Sequence, residues 1–366
     1  MTSTKFQMAG NSSPFRSELI GLRRRMLSLS QAELSARSGI TQGTLSKVEQ
    51  GIKEANDDLV ARLAVALECP ETFFYQGERE YGPPMSAHAM FRKKAAIGQK
   101  VLDKVIAELN VRIGHVRKFL STVEFSPELP FPHYDVEDFH GDIGAIADSV
   151  RRAWLAPRGP LRSLTEYAER AGVLVIHCDM EAAKIDGVSY RIPGLPPIVF
   201  LNRNQPADRL RFSLAHELGH LVMHTYPSPN MEQEANQFAS ALLMPAADIG
   251  PELQGLTIEK AAYMKPFWRV SMGSMIYRAA DLNKIDRYKA EYLWRQMAIR
   301  GFRMREPQAL DFPPEPTTLI EALIDNLVKE MGYTTEELSE LLHLHYEELA
   351  LMYRLQTPVA GLRVVK

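Results

Sequence analysis

His216-Glu217-Leu218-Gly219-His220 constrains this chain more than any other stretch, because it sets two imidazoles four residues apart with a carboxylate beside the first. On a helix that separation brings both rings out on one side. There they can share one Zn²⁺ while the glutamate takes a proton from water as general base. The flanks are helical in pattern: Leu210, Phe212 and Leu214, then Leu218, Leu221 and Val222, recur at spacings that bury one face. A buried helix carrying two histidines and a glutamate strands polar groups unless something uses them. Core histidines satisfied by backbone carbonyls are the plainer alternative.

A third ligand has to come from a second helix, and Met231 to Pro245 supplies one. Glu232, Asn236, Ala239 and Leu243 fall on one stripe at spacings of four, three and four, whereas Glu234 points elsewhere. Glu232 is therefore the expected third ligand, with Glu234, read as a solvated surface charge, as the fallback. Asn236 is awkward on an alanine-lined packed face unless it orients a ligand. Two histidines, a glutamate and an open position make a hydrolytic zinc arrangement with one Zn²⁺ per chain and Glu217 as catalytic base; Mn²⁺ or Fe²⁺ also suit such donors. His224, one turn on, can hydrogen-bond substrate or a ligand, although a helix-end histidine more commonly satisfies a carbonyl. Tyr190 and Tyr226 are both candidates for an oxyanion donor.

Five blocks carry a resemblance. Lys184-Ile-Asp-Gly-Val188, Pro197-Ile-Val-Phe-Leu-Asn202, Arg211-Phe-Ser-Leu-Ala-His-Glu-Leu-Gly-His220, Glu232-x-Glu-Ala-Asn236-x-Phe-Ala239 and Leu242-Leu-Met-Pro245 occur in order over about residues 145 to 310. They resemble the ImmA/IrrE family of metallopeptidases. The resemblance implies a compact zinc-dependent protease that cleaves a cognate repressor or antitoxin. It also implies that the first glutamate of the Glu-x-Glu-Ala-Asn block, Glu232, is the metal ligand.

A second signal lies near the N-terminus. Ser30 caps a helix with Glu33 in the capping-box position, Gly39 supplies the turn, and Thr41 caps a following helix with Leu45 and Val48 inward. This pattern, with Gln31-Ala-x-Leu34, Leu45-Ser-x-Val-Glu-x-Gly51 and Leu59-Val-x-x-Leu-Ala-x-Ala-Leu67, resembles the XRE family of helix-turn-helix regulators over about residues 15 to 75. Such domains place the second helix in the major groove of double-stranded DNA. Carried over by position, Thr41, Gln42, Thr44 and Lys47 face bases or nearby backbone, and Gln31 a phosphate. Gly43 stands where a longer base-reading side chain is common. Arg24 and Glu49 match a pair linking the first and third helices. Arg23, Arg24, Arg25, Arg37, Lys47 and Lys53 favour phosphate contact, against Asp57 and Asp58.

The expected fold is mainly α with a small β-sheet (α+β). It comprises an all-helical helix-turn-helix domain over 1–80, a helical connector over 81–125, a zincin-like metallopeptidase domain over 126–310 and a helical C-terminal region over 311–366. In the connector, Ile97, Val101, Val105, Ile106, Leu109, Ile113, Val116 and Leu120 form an apolar stripe from Phe91 to Val123. It suits either packing on the peptidase segment or a homodimer seam. Val173–Ile176 and Ile198–Leu201 are expected strands. Leu256 to Leu282 has the cap and turn residues of another helix-turn-helix, with an apolar content that suits burial.

A chain of 366 residues with net charge −2 has room for two or three domains and does not coat nucleic acid nonspecifically, so any DNA contact is local. Cys69 and Cys178 have no metal-binding spacing and fit a reduced compartment. No leader precedes the fold and no apolar run nears the ~20 residues of a membrane span, so a cytoplasmic protein with no membrane partner is expected. The reading is a DNA-binding regulator joined to a zinc endopeptidase. The alternative is a transcription factor or antitoxin-like regulator whose peptidase fold senses metal, ligand or a protein partner without turnover.

Overall fold

The computed structural model describes residues 14–77, 80–83 and 98–355. In chain order, α1 (Glu18–Met26), α2 (Gln31–Ser38), α3 (Gln42–Glu49) and α4 (Asp57–Ala66) are followed by α5 (Gln99–Leu120). Then come α6 (Ile143–Ala153), α7 (Leu164–Arg170), β1 (Leu174–Cys178), β2 (Gly187–Tyr190), β3 (Ile198–Asn202), α8 (Ala207–Met223) and α9 (Met231–Leu243). α10 (Ala246–Leu253), α11 (Ile258–Trp268), α12 (Met272–Asp281) and α13 (Arg287–Ile299) lead to α14 (Leu319–Asp325), α15 (Thr335–Leu342) and α16 (Tyr346–Tyr353). The mainly helical chain with one small sheet has the expected α+β class.

Two compact units form. One is helical and takes the described residues up to Gly82, those from 98 to Phe125 and those from Glu321 onward; the other holds Ser126–Ile320. In the helical unit, Ser30 and Glu33 make the reciprocal capping box at the start of α2, and Gly39 ends that helix at φ +65°, where a side chain would be strained. Leu34, Leu45, Val48, Leu63, Leu67 and Phe73 are fully buried between the first four helices.

The helix expected as a connector packs along α1 and against α15. Val105, Leu109, Ile113 and Val116 on this helix are buried. Phe91 and Ile97 lie outside the described residues. The C-terminal helices complete the same unit. Arg23 is only 1% exposed. Its guanidinium meets both carboxylate oxygens of Glu348 on α16 at 2.7 Å and donates to the carbonyls of Leu67 at 3.0 Å and Glu68 at 2.8 Å. A buried cation requires such partners. His115 on α5 lies 2.9 Å from the Leu342 carbonyl through Nε2, which must therefore carry the proton, and accepts the Tyr353 hydroxyl at Nδ1 over 2.8 Å.

In the second unit the sheet runs β1-β3-β2, with β1 parallel and β2 antiparallel to β3. All five residues of β3 are buried, as expected of a central strand covered on both faces. α8 packs on β2 and β3, and α9 lies between α8 and α6. The close crossing of α8 and α9 depends on Gly219, where an added Cβ would come within 3.0 Å of Phe238 Cδ1 and 3.3 Å of Ala235 Cα. Residues after 310 still belong here: Glu315 accepts from the buried Arg211 on α8 and from the Thr165 amide, so the proline-rich strap closes over the start of α8. α11 and α12, joined through left-handed Arg269, bury Met272, Met275, Ile276 and Ala279 against the core. This second helix-turn-helix-like segment is thus packing material, as its apolar content suggested.

Candidate functional site

α8 presents His216, Glu217 and His220 on consecutive turns, and α9 brings Glu232 to them. His216 Nε2 and His220 Nε2 lie 3.0 Å apart, and Glu232 carboxylate oxygens lie 3.3 Å from His220 Nε2 and 3.8 Å from His216 Nε2. Neighbouring donors around a tetrahedral Zn²⁺ with bonds of about 2.0–2.1 Å are separated by about 3.3 Å. The three side chains thus fit one ion, and they form the His/Glu cluster with metal-ligand spacing among the described residues.

The hydrogen bonds around them give an independent test. Asn236 donates from Nδ2 to the Glu232 carbonyl at 2.8 Å, which turns its Oδ1 toward His216 Nδ1 at 3.1 Å. On the other side His220 Nδ1 lies 3.0 Å from His224 Nδ1, and His224 Nε2 lies 2.9 Å from Glu234. The row Glu234, His224, His220, His216, Asn236 therefore has four contacts, ends in an oxygen acceptor at both sides, and contains three imidazoles. Three neutral rings supply only three protons, so one contact lacks a cation. Burial holds both His216 and His224 below the usual histidine range, His216 against the pull of Glu217 and His224 against that of Glu234. An extra proton is thus disfavoured. Neutral rings would satisfy every contact if His216 and His220 held a metal ion: Asn236 would accept from His216, His220 donate to His224, and His224 donate to Glu234.

Two expectations are corrected here. Glu234 is not a solvated charge but the anchor of His224, and His224 serves the neighbouring imidazole rather than a backbone carbonyl. The reason is the close helix crossing, which brings the first turn of α9 against the end of α8.

Glu217 is 2% exposed and accepts the Ser189 hydroxyl at 2.6 Å. Ser189 stands on β2, a strand the sequence pattern did not reveal. Gly187, two residues earlier, faces the same way: a Cβ there would meet Glu217 Cγ at 3.2 Å. By strand alternation Tyr190 is turned to the opposite face of the sheet, away from Glu217. Tyr226 is 79% exposed. Tyr190 is thus turned from the carboxylate, whereas Tyr226 stands exposed just beyond the end of α8.

On the helical unit, α3 exposes Gln42, Gly43 and Lys47, with Thr44 half-buried. Thr41 is committed to its cap, accepting the Thr44 amide at 3.4 Å and donating to the Thr44 hydroxyl at 3.0 Å. Gln31 donates to Glu49, which also pairs with Arg24 at 2.8 Å, so one carboxylate ties α1, α2 and α3 together. Of the cations expected to meet phosphate, Arg23 is buried, Arg25 pairs with Glu80 and Arg37 with Glu68. Lys47 and Lys53 remain exposed, with no carboxylate partner among the described residues. A Cβ at Gly43 meets nothing within 4 Å, so the glycine leaves the first turn of α3 bare without any steric need.

Residues 168–280 match the peptidase family described as IrrE N-terminal-like domain, and residues 20–74 match the family described as Helix-turn-helix. No curated protein gives a significant match to the chain. Among the described residues no helix is long and apolar enough to cross a membrane. The chain is therefore a fusion of an XRE-type helix-turn-helix DNA-binding domain with an ImmA/IrrE-like metallopeptidase domain.

Proposed function

We propose that this regulator is a zinc-dependent endopeptidase that cleaves a cognate repressor or antitoxin. The observation that carries the reading is the row of imidazoles that lacks one cation, set beside a buried carboxylate with a dedicated hydroxyl donor. His216, His220 and Glu232 hold the ion. Zn²⁺ bound there supplies Lewis acidity and lowers the pKa of water toward ~7.

The chain's own groups do the rest. Glu217 takes the proton from the attacking water and returns it to the leaving amine. Ser189 occupies one oxygen of that carboxylate and so leaves the other for the transferred proton. Asn236 and His224 fix the ring orientations of the two histidines. At the other unit, Gln42, Thr44 and Lys47 meet DNA from α3, and Gln31 acts by holding α2 to α3 through Glu49.

The test is incubation of the zinc-loaded protein, and of Glu217→Gln, with the products of genes adjacent to its own. Cleavage by wild type and none by Glu217→Gln supports the reading. A stoichiometrically zinc-loaded protein that binds its operator and cleaves none of these products would favour a sensor in place of a protease.

A further inference from the structure

Beside the metal-ligand cluster the peptidase unit contains a cavity of about 500 Å³ that the proposed chemistry does not use. Phe212, four residues before His216 on α8, and Ser240, four after Asn236 on α9, both line it, as does Asn236 itself. One helical turn is about 5.4 Å, so the cavity begins a single turn from the Asn236–His216 contact on each helix. Phe212, Tyr277, Trp294 and Phe302 supply aromatic walls. Trp294 is seated on the α12 backbone, where a Cβ at Gly273 would lie 3.2 Å from the indole.

The polar groups of the lining fall into two sets. Lys265 is paired with Asp208 and Glu306 at 2.6 Å each, Arg209 with Asp186, and Arg305 with Asp311. Outside these pairs Asn236 is bonded to His216 and Ser271 to Ser274, and two further groups bear on a ligand. Arg303 has no carboxylate partner among the described residues, and its guanidinium lies 5.9 Å from the Trp294 ring centroid. The Ser240 hydroxyl is in a residue only 2% exposed and has no hydrogen-bond partner. Buried hydroxyls are seldom left so, and a bound group with a polar atom would satisfy this one.

We propose that this cavity binds a flat apolar group carrying a carboxylate, with the ring against Trp294 and Phe212 and the anion on Arg303. The group can be an aromatic residue beside an acidic one in the polypeptide to be cleaved, or a free aromatic acid. The first source rests on the peptidase reading, whereas the second does not.

Acrylamide quenching of tryptophan fluorescence on the full chain tests the assignment, because Trp154 and Trp268 are each 1% exposed and Trp294 is the accessible indole of the three. Phenylacetate is expected to protect Trp294, with phenylacetamide about tenfold weaker and the difference abolished in Arg303→Gln. Arg303 is on an exposed turn, and unchanged denaturation and zinc content check that this variant folds. Equal protection by acid and amide, or an acid affinity unaltered in Arg303→Gln, overturns the proposal.

On zinc-loaded protein that cleaves a polypeptide, phenylacetate raising KM alone assigns the group to the substrate. A change in kcat or operator affinity at constant KM assigns it to a free acid. Protection without any cleavage sinks the peptidase reading and leaves the cavity assignment standing; cleavage without protection does the reverse.

Discussion

His224→Phe removes the acceptor that faces His220 Nδ1 at 3.0 Å, in a residue that is 7% exposed. Phe keeps the ring volume, so the change isolates the hydrogen bond. The orphaned N–H costs about 1–3 kcal/mol, which at 1.4 kcal/mol per decade is roughly 5- to 150-fold in zinc affinity. Loss of a group that orients a ligand typically costs 10- to 100-fold, so about 30-fold is expected. Glu234→Gln is milder, because the amide oxygen still accepts from His224 and only the charge is lost; about 5- to 10-fold is expected. Glu232→Gln removes a ligand outright and should exceed both. Zinc affinity measured by competition with a chromophoric chelator gives the order directly. If Glu234→Gln loses more zinc than Glu232→Gln, Glu234 is the ligand and the geometry has been misread; if His224→Phe stays within twofold of wild type, the imidazole row has no role in holding the ion.

Ser189→Ala should leave zinc content unchanged and lower kcat about tenfold, since Glu217 loses a buried charge-assisted hydrogen bond; an unaltered kcat in a single-turnover assay would show that the hydroxyl does not position the base. Gln42→Ala should relax base preference by about 1–3 kcal/mol, read by selection from randomised duplexes, whereas Gln31→Ala should weaken all sequences alike. Glu348→Ala should destabilise the helical unit by about 2–4 kcal/mol in urea titration, less than for a fully enclosed pair because two carbonyls still hold Arg23. The helical unit should also weaken in mild acid. Burial keeps His115 well below the usual histidine range and lowers His343 to about 3, so neither is protonated in the fold at neutral pH. Their stabilisation is complete above the unfolded value of ~6.5 and is lost as pH falls below it, by up to about 1.4 kcal/mol per unit for each group. His343→Gln should flatten the dependence of urea stability on pH between these limits, and an unchanged slope would exclude that residue as a source.

What could be read from the sequence was local. The two histidines, Glu217, Glu232 and Asn236 follow from the 3.6-residue period of two helices, and the caps at Ser30 and Thr41 from residues three positions away. β2 was not legible because a four-residue strand gives only two cycles of alternation, and the meaning of Ser189 depends on Glu217, 28 positions later. His224 and Glu234 were misjudged because their contact arises only from the close α8–α9 crossing that Gly219 permits. Arg23 read as a phosphate contact because it lies in a basic run. Nothing near it in sequence announces a carboxylate 325 residues away.

That separation has a consequence for how the fusion works. Arg23 and His115 precede the peptidase unit in sequence, whereas Glu348, Tyr353 and the Leu342 carbonyl that satisfy them follow it. The helical unit therefore cannot close its core until the whole of Ser126–Ile320 has been synthesised. An unpaired buried guanidinium and a tyrosine-linked imidazole are groups whose isolation costs several kcal/mol, a large share of the ~5–15 kcal/mol that holds a typical domain folded. Chains cut short after the peptidase segment consequently retain the residues of the metal-ligand cluster but lack the helices that complete the DNA-binding unit. A helix-turn-helix placed at the N-terminus alone would carry no such dependence. Here full stability of the DNA-binding unit requires a chain that already contains the peptidase segment, which ties the presence of one unit to synthesis of the other.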